Sequence, residues 1–306
     1  MSSASAAERD RADKGPGGSS YWPPVPRGRK IGNLVFWGVC LIALGLVVVP
    51  TCWLAVGIIA KAVPNFHWDV LWTRTEQLNG GLLQPILGTL LITVIALVIG
   101  GAISVLTGMY LSEFAVGRHR SVLRGAYEVL AGIPSIVLGF VGYVALVVDL
   151  HWGFGLLPAV VVVSVLTIPY ITKSTETSLA QVPTGYREGA EALGIPTSWA
   201  MRKIVLKSAL PGMITGFLVA AAIAIGETAP LLYTANFSDQ TPSLVHVTHQ
   251  GVPYLTNIVY TFSPLFQPVT SANILSFDAA LLLLVFVLVL ILLGRLVAAI
   301  ARRNSE

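Results

Sequence analysis

A single carboxylate, Glu227, stands in a long apolar run, Ala209 to Ala235, that holds no other charge. An ionisable side chain in such a run costs at least ~2.5 kcal/mol to place in a membrane. It reads either as a pathway residue facing protein or water, or as a neutral acid bonded to a carbonyl in helix packing. A second candidate is Glu188-Gly189-Ala190-Glu191-Ala192-Leu193-Gly194, a short helix and glycine turn on a polar segment between two apolar runs. Its chemistry is mechanical: a compact knob suited to a groove in a soluble partner. His246 and His249 are three apart, but Asp239 is the one further ligand type nearby, so no metal site is expected. No G-x-x-x-x-G-K-[ST] loop occurs and no nucleophile, base and acid fall together, which predicts a chain that neither binds ATP by that device nor catalyses a reaction.

The elements that must position these residues are membrane spans. Hydrophobic residues make up 55% of 306 positions and charged residues 11%, and several apolar runs exceed the roughly 18 residues that read as a span. Six spans are expected, over 33–60, 84–112, 125–147, 155–172, 209–235 and 276–300, so the fold class is an all-α polytopic membrane protein. Residues 1–32 read as a disordered tail of Ser, Ala, Gly, Pro and charge. The run that follows is too long for the core of a cleaved signal and is expected to stay as the first span. Cys40 and Cys52 fall on one helix, roughly 18 Å apart at 1.5 Å per residue, too far to bridge.

Basic residues set the orientation. Seventeen of the 19 Lys and Arg lie in the N-terminal tail, between spans two and three, between spans four and five, and at the C-terminus. Lys61 and Arg74 alone fall on the other loops. Both termini and the Glu188 loop, residues 173–208, are therefore expected in the cytoplasm, and the segment 236–275 outside. The formal charge of +4 reports topology and implies no nucleic-acid partner.

Within the cytoplasmic loop, Thr184 is a plausible N-cap for a helix ending at Leu193, with Gly194 just past it. A second amphipathic helix is expected over Ser198 to Ala209. Spacing alone leaves open an ordinary amphipathic loop lying on anionic lipid. In span five, Gly212, Gly216, Ala220 and Ala224 recur every four residues, a flat face for close helix approach. Glu227 lies roughly 24 Å along that helix from Pro211, which puts it in the outer half of the bilayer. Outside, Tyr254, Tyr260, Phe262 and Phe266 fit either a re-entrant piece or an interfacial aromatic belt.

Glu188, Ala190 and Gly194, followed after nine residues by Ile204 and Leu206, match the E-A-A, three residues, G, nine residues, I-x-L pattern of ATP-binding-cassette import permeases. Gly189 replaces the first Ala and Lys207 the usual Pro. Gly226-Glu227-Thr228-Ala229-Pro230-Leu231-Leu232 and Leu130-Ala131-Gly132-Ile133-Pro134-Ser135-Ile136-Val137 are similar to the span signatures of its phosphate branch. The resemblance covers about residues 80 to 300 and implies a MetI-like permease core over 84–300. It implies an ATP-driven importer of inorganic phosphate in the inner membrane, with a second permease, a cassette ATPase dimer that binds ATP and Mg, and an extracytoplasmic phosphate-binding protein. Glu188, Gly189, Ala190, Gly194, Ile204 and Leu206 would couple to the ATPase; Glu227, Thr228, Pro134 and Ser135 would border the path. Another oxyanion or polar solute, or less readily a self-contained secondary transporter, remains the alternative.

Overall fold

A computed structural model of the chain describes residues 27–303, so most of the expected N-terminal tail lies outside the described residues. The first helix, α1, runs Arg27–Ala62. Of the described residues, 27–57 form one unit and 58–303 another. Cys40 and Cys52 are both free and exposed.

The second unit is built from helices whose lengths match apolar runs. Leu83–Met109 forms α2, extended by a π-helical turn over Tyr110–Phe114. Gly117–Gly132 is α3 and Ser135–Gly142 is α4, which continues as a π-helical turn to Asp149. Leu156–Ala180 is α5, Thr184–Ala192 is α6, and Thr197–Ala200 is α7. A further π-helical turn, Met201–Val205, leads from α7 into α8, Leu206–Gly226. Three helices complete the chain: α9 over Ala229–Thr234, α10 over Leu255–Thr261 and α11 over Thr270–Arg303. A two-stranded hairpin, β1 Thr75–Glu76 and β2 Asn79–Gly80, precedes α2.

Five of the described helices are long and apolar enough to cross a membrane, and a bent pair makes a sixth candidate. That pair is α3 and α4, expected as one span over 125–147 in which Gly132 and Pro134 combine a flexible residue with a kink former. The chain turns by 96° at Ile133-Pro134, because proline supplies no N–H there and its ring opposes a helical residue before it. Span five differs too. Its helix starts at Thr197 and runs through the π-turn to Gly226, so the expected separate helix Ser198 to Ala209 is the first part of the span itself. The span four helix likewise continues to Ala180, past the expected end at 172.

The core lies where α5 packs between α2 and α8. Ile92 and Ala96 of α2, Val160 and Val163 of α5 and Ala224 of α8 share one buried cluster. Small residues set the spacing: a Cβ added at Gly100 or Gly108 of α2 would press on Ser164, Thr172 or Thr175 of α5. The expected small-residue face of α8 is used in the same way. Gly212 and Gly216 lie against Ser178 and Ser174 of α5, and Ala220 and Ala224 are buried. Near the hairpin, α10 is clasped by α2 and α11 through Leu82, Leu255, Ile258 and Leu275.

Candidate translocation and coupling sites

Glu227 does not lie within a regular helix. It caps the end of α8 with extended backbone, φ −69° and ψ 131°, and Thr228 begins a new turn into α9. Spans three and five are thus both interrupted, and the interruptions meet. Glu227 shares a cavity of about 180 Å³ with Leu130, Ala131 and Ile133 of the first break, Ser135 and Leu138 of α4, and Leu166 and Tyr170 of α5. Leu166 and Tyr170 stand near the middle of α5, so the cavity that Glu227 shares with them lies at the level of the middle of that helix. The Thr256 hydroxyl donates to the Glu227 carbonyl at 2.7 Å, tying the break to α10. Among the described residues no basic group pairs with the carboxylate. Of the four residues expected on the path, Ser135 and Glu227 line the cavity, whereas Pro134 and Thr228 shape the two breaks without lining it.

The first-turn amides of α4 add a further property. Val137 and Leu138 both donate to the Pro134 carbonyl, which leaves the Ser135 and Ile136 N–H groups at the cavity end of the helix as orphan donors with the positive end of the helix dipole.

The knob is α6 with the turn that follows. Gly194 has φ +68°; its N–H donates to Glu191 at 2.9 Å and that of Ile195 to Ala190 at 3.0 Å. This is a Schellman closure, which needs a left-handed residue just after the helix. Thr184 is the first helical residue and Pro183 holds the cap position, one place earlier than expected. Glu188, Gly189 and Gly194 are exposed, as are Tyr186, Leu193 and Trp199. Ala190 is buried, and Ile204 and Leu206 face partly inward beside the Met201 and Val205 core. Gly185, Gly189 and Gly194 have no atom of this chain within 4 Å of where a side chain would begin.

Three carboxylates were not singled out by the sequence: Glu176 and Asp278, which are buried, and Glu113, which is partly buried. Glu113, in the π-turn after α2, takes a fork from Arg187 of α6, Nε at 3.0 Å and Nη2 at 2.6 Å. Arg187 also donates to the carbonyls of Val182 and Leu179 at the end of α5. Hydrogen bonding to Glu113 raises the affinity of Arg187 for its proton, against the smaller opposing effect of burial. Glu176 of α5, 3% exposed, binds the guanidinium of Arg124 and accepts from the Tyr127 hydroxyl at 2.9 Å, with Arg120 at 3.7 Å. A usable signal existed for Glu113 and Glu176: both stand at the basic-rich ends of their spans, where Arg and Lys had been read for orientation alone. Asp278 of α11 is buried and neither of its carboxylate oxygens meets a donor. His246 and His249 share an open depression with Ser238, Gln240 and Thr248, and among the described residues no three metal-ligand side chains cluster.

Residues 104–305 match the family described as binding-protein-dependent transport system inner membrane component. The chain is 56% identical over 278 residues, 91% of each sequence, to a Mycobacterium bovis protein named phosphate transport system permease protein PstA 2. It is 32% identical to PstA of Haemophilus influenzae, covering 90% of this chain and 95% of that one. Among solved structures, an inward-facing MetNI methionine ABC transporter matches with TM-score 0.58 at 23% identity, over 71% of this chain and 95% of its own. An importer of the acidic polysaccharide alginate matches with TM-score 0.57 at 14% identity over 91% and 98%. These last two show a shared fold, the MetI-like permease fold. The chain therefore belongs to the binding-protein-dependent inner membrane components of ABC transporters, and within them to the PstA family of permease subunits.

Proposed function

We propose that this chain forms one half of the membrane path of an ATP-driven importer of inorganic phosphate, with a second permease supplying the other half. The carrying observation is the meeting of two broken spans at Glu227 and Ser135, in a mid-bundle cavity faced by the amide end of α4. Helix N-termini at interrupted spans suit anionic substrates. The identity to proteins named as phosphate permeases supports phosphate as the anion. Glu227 then serves selectivity: its carboxylate accepts a hydrogen bond from a protonated phosphate oxygen, which sulfate lacks at neutral pH.

Energy comes from a separate cassette ATPase, which binds ATP and Mg, since this chain has no phosphate loop. The exposed surface of α6 and its turn, with Glu188, Gly189 and Gly194, docks into that ATPase, while Ala190, Ile204 and Leu206 hold the knob to the spans. Both termini and the knob face the cytoplasm on this reading, which the seventeen-to-two distribution of basic residues supports. An extracytoplasmic binding protein delivers phosphate at the opposite face.

The deciding experiment measures phosphate uptake and membrane abundance together for Glu227→Gln. The proposal expects normal abundance with uptake lost or strongly reduced and discrimination against sulfate weakened. Wild-type uptake at normal abundance would make Glu227 a packing residue and remove it from the path. Recovery of Glu227→Gln by changing an Arg in the second permease would assign the carboxylate to an intersubunit ion pair.

A further inference from the structure

Glu113 and Glu176 stand between α6 and the Glu227 cavity, and neither has a part in the function proposed above. Resting on the reading of α6 as the ATPase contact, we propose that these two carboxylates are positioning residues that carry the push of ATP-driven closure to the cavity wall. Glu113 does so by holding Arg187, and Glu176 by holding α3 to α5.

Arg187 is adjacent to Glu188 but directs its donors away from the exposed face. Nε and Nη2 go to Glu113 at the end of α2, Nη1 to the Val182 carbonyl and Nη2 also to the Leu179 carbonyl at the end of α5. A displacement of α6 is therefore not absorbed in the short link Gln181 to Pro183; it drags the ends of α2 and α5, which already pack along their length through small residues.

The next joint is Glu176. It lies on α5, six residues beyond Tyr170, which lines the cavity. Its carboxylate is buried and held by Arg124 and Tyr127, three residues apart on one face of α3. A buried carboxylate stripped of its cation is costly, so α3 and α5 move as a pair or the network breaks as a whole. From Arg124 to Ile133 is nine residues, roughly 13 Å of helix. There the chain bends by 96° into Ser135. The terminal turn of α3 contributes Leu130 and Ala131 to the cavity, so a tilt of α3 about this bend shifts that wall relative to Glu227. The two ion pairs thus link the knob to the cavity through α5 and α3, with the Pro134 break as the hinge.

The test uses the whole importer in proteoliposomes, with this chain, its second permease, the ATPase and the binding protein. Three readouts are taken on Glu176→Gln, Tyr127→Phe and Glu176→Asp: phosphate moved per ATP hydrolysed, binding-protein-stimulated ATP hydrolysis, and a disulfide crosslink from Glu188→Cys to the ATPase. For Glu176→Gln we expect the crosslink and hydrolysis to persist while phosphate per ATP falls at least about fivefold, the lower end of ordinary coupling between sites. Tyr127→Phe removes one hydrogen bond and keeps the ion pair, so its ratio falls less; Glu176→Asp recovers part of the loss. A wild-type ratio in Glu176→Gln overturns the proposal, even where abundance drops, because a merely structural role lowers uptake and hydrolysis together. Should Glu176→Gln fail to assemble, an unchanged ratio in Tyr127→Phe overturns it. Absence of the crosslink in an otherwise wild-type complex would instead remove the docking reading, and this proposal with it.

Discussion

Gly139 of α4 lies so close under Pro230 of α9 that a methyl group added at the glycine would overlap the proline backbone. This contact holds the two half-helices together beyond their breaks and so fixes the far side of the Glu227 cavity. Replacing Gly139 by Ala forces backbone movement, an overpacking effect of roughly 1–3 kcal/mol. We expect reduced phosphate uptake with Gly139→Ala and a larger loss with Gly139→Val, measured against membrane abundance. Equal uptake for all three would show that the half-helices separate freely.

The α5 and α8 contact gives a compensating pair. Gly216 meets the Ser174 side chain, so Gly216→Ala should lower abundance of the folded protein. Ser174→Gly in the same chain should restore part of it, since it clears the space. An additive double variant, with no recovery, would place the defect elsewhere.

Gly194 separates backbone strain from crowding. At φ +68° a β-branched residue is strained by roughly 1–2 kcal/mol, yet no atom of this chain lies where its side chain would go. Gly194→Asn, which tolerates this conformation, should assemble and insert normally, while Gly194→Val weakens the end of α6. On the docking proposed above, uptake by Gly194→Asn then reports how much room the ATPase leaves: a strong loss at normal abundance indicates a tight interface, and full uptake indicates that only the turn geometry matters.

For topology, Val245 and Leu265 are 83% and 88% exposed and Ser198 is exposed in α7, just after the knob. After replacement of the exposed Cys40 and Cys52, cysteines at Val245 and Leu265 should react with impermeant thiol reagents in intact cells, and one at Ser198 should not. Reaction at Ser198 from outside would invert the orientation.

Tyr254 lies between spans, and burial pushes its hydroxyl well above the usual tyrosine range. The folded group holds its proton more tightly than the unfolded one, so its contribution is complete below about pH 10 and is lost as pH rises further. Limited proteolysis of the 236–269 segment should accelerate above that pH in the wild type and much less in Tyr254→Phe.

The positions of the long helices were legible because apolar length and basic asymmetry are local properties of a sequence. The fourfold spacing of Gly212, Gly216, Ala220 and Ala224 was legible for the same reason. The break at Glu227 was not. Glu227 and Thr228 are flanked by apolar residues, so hydropathy runs on through Gly226 to Ala229 and marks no break where the backbone turns extended. Pro134 signalled a bend, but neither its 96° angle nor the fastening of α3 to Glu176 through Arg124 and Tyr127 is written in the local pattern. That pairing spans 52 residues of sequence, and no periodicity reveals a partner at such a distance.

Five residues, Met201 to Val205, form a π-helical turn between the knob and α8. Such a turn holds more residues than an α-helical one, so it behaves as an inserted residue in an otherwise regular helix. Each α-helical residue advances the face by about 100°. Deleting one residue here would restore regular winding and swing the knob around the axis of α8, while every side chain of the motif stayed the same. The count of residues between Gly194 and Gly212 is therefore itself a specification: it aims the exposed face of the knob, proposed above as the ATPase contact, and substitutions that leave it intact should be tolerated in a way that a single insertion or deletion is not.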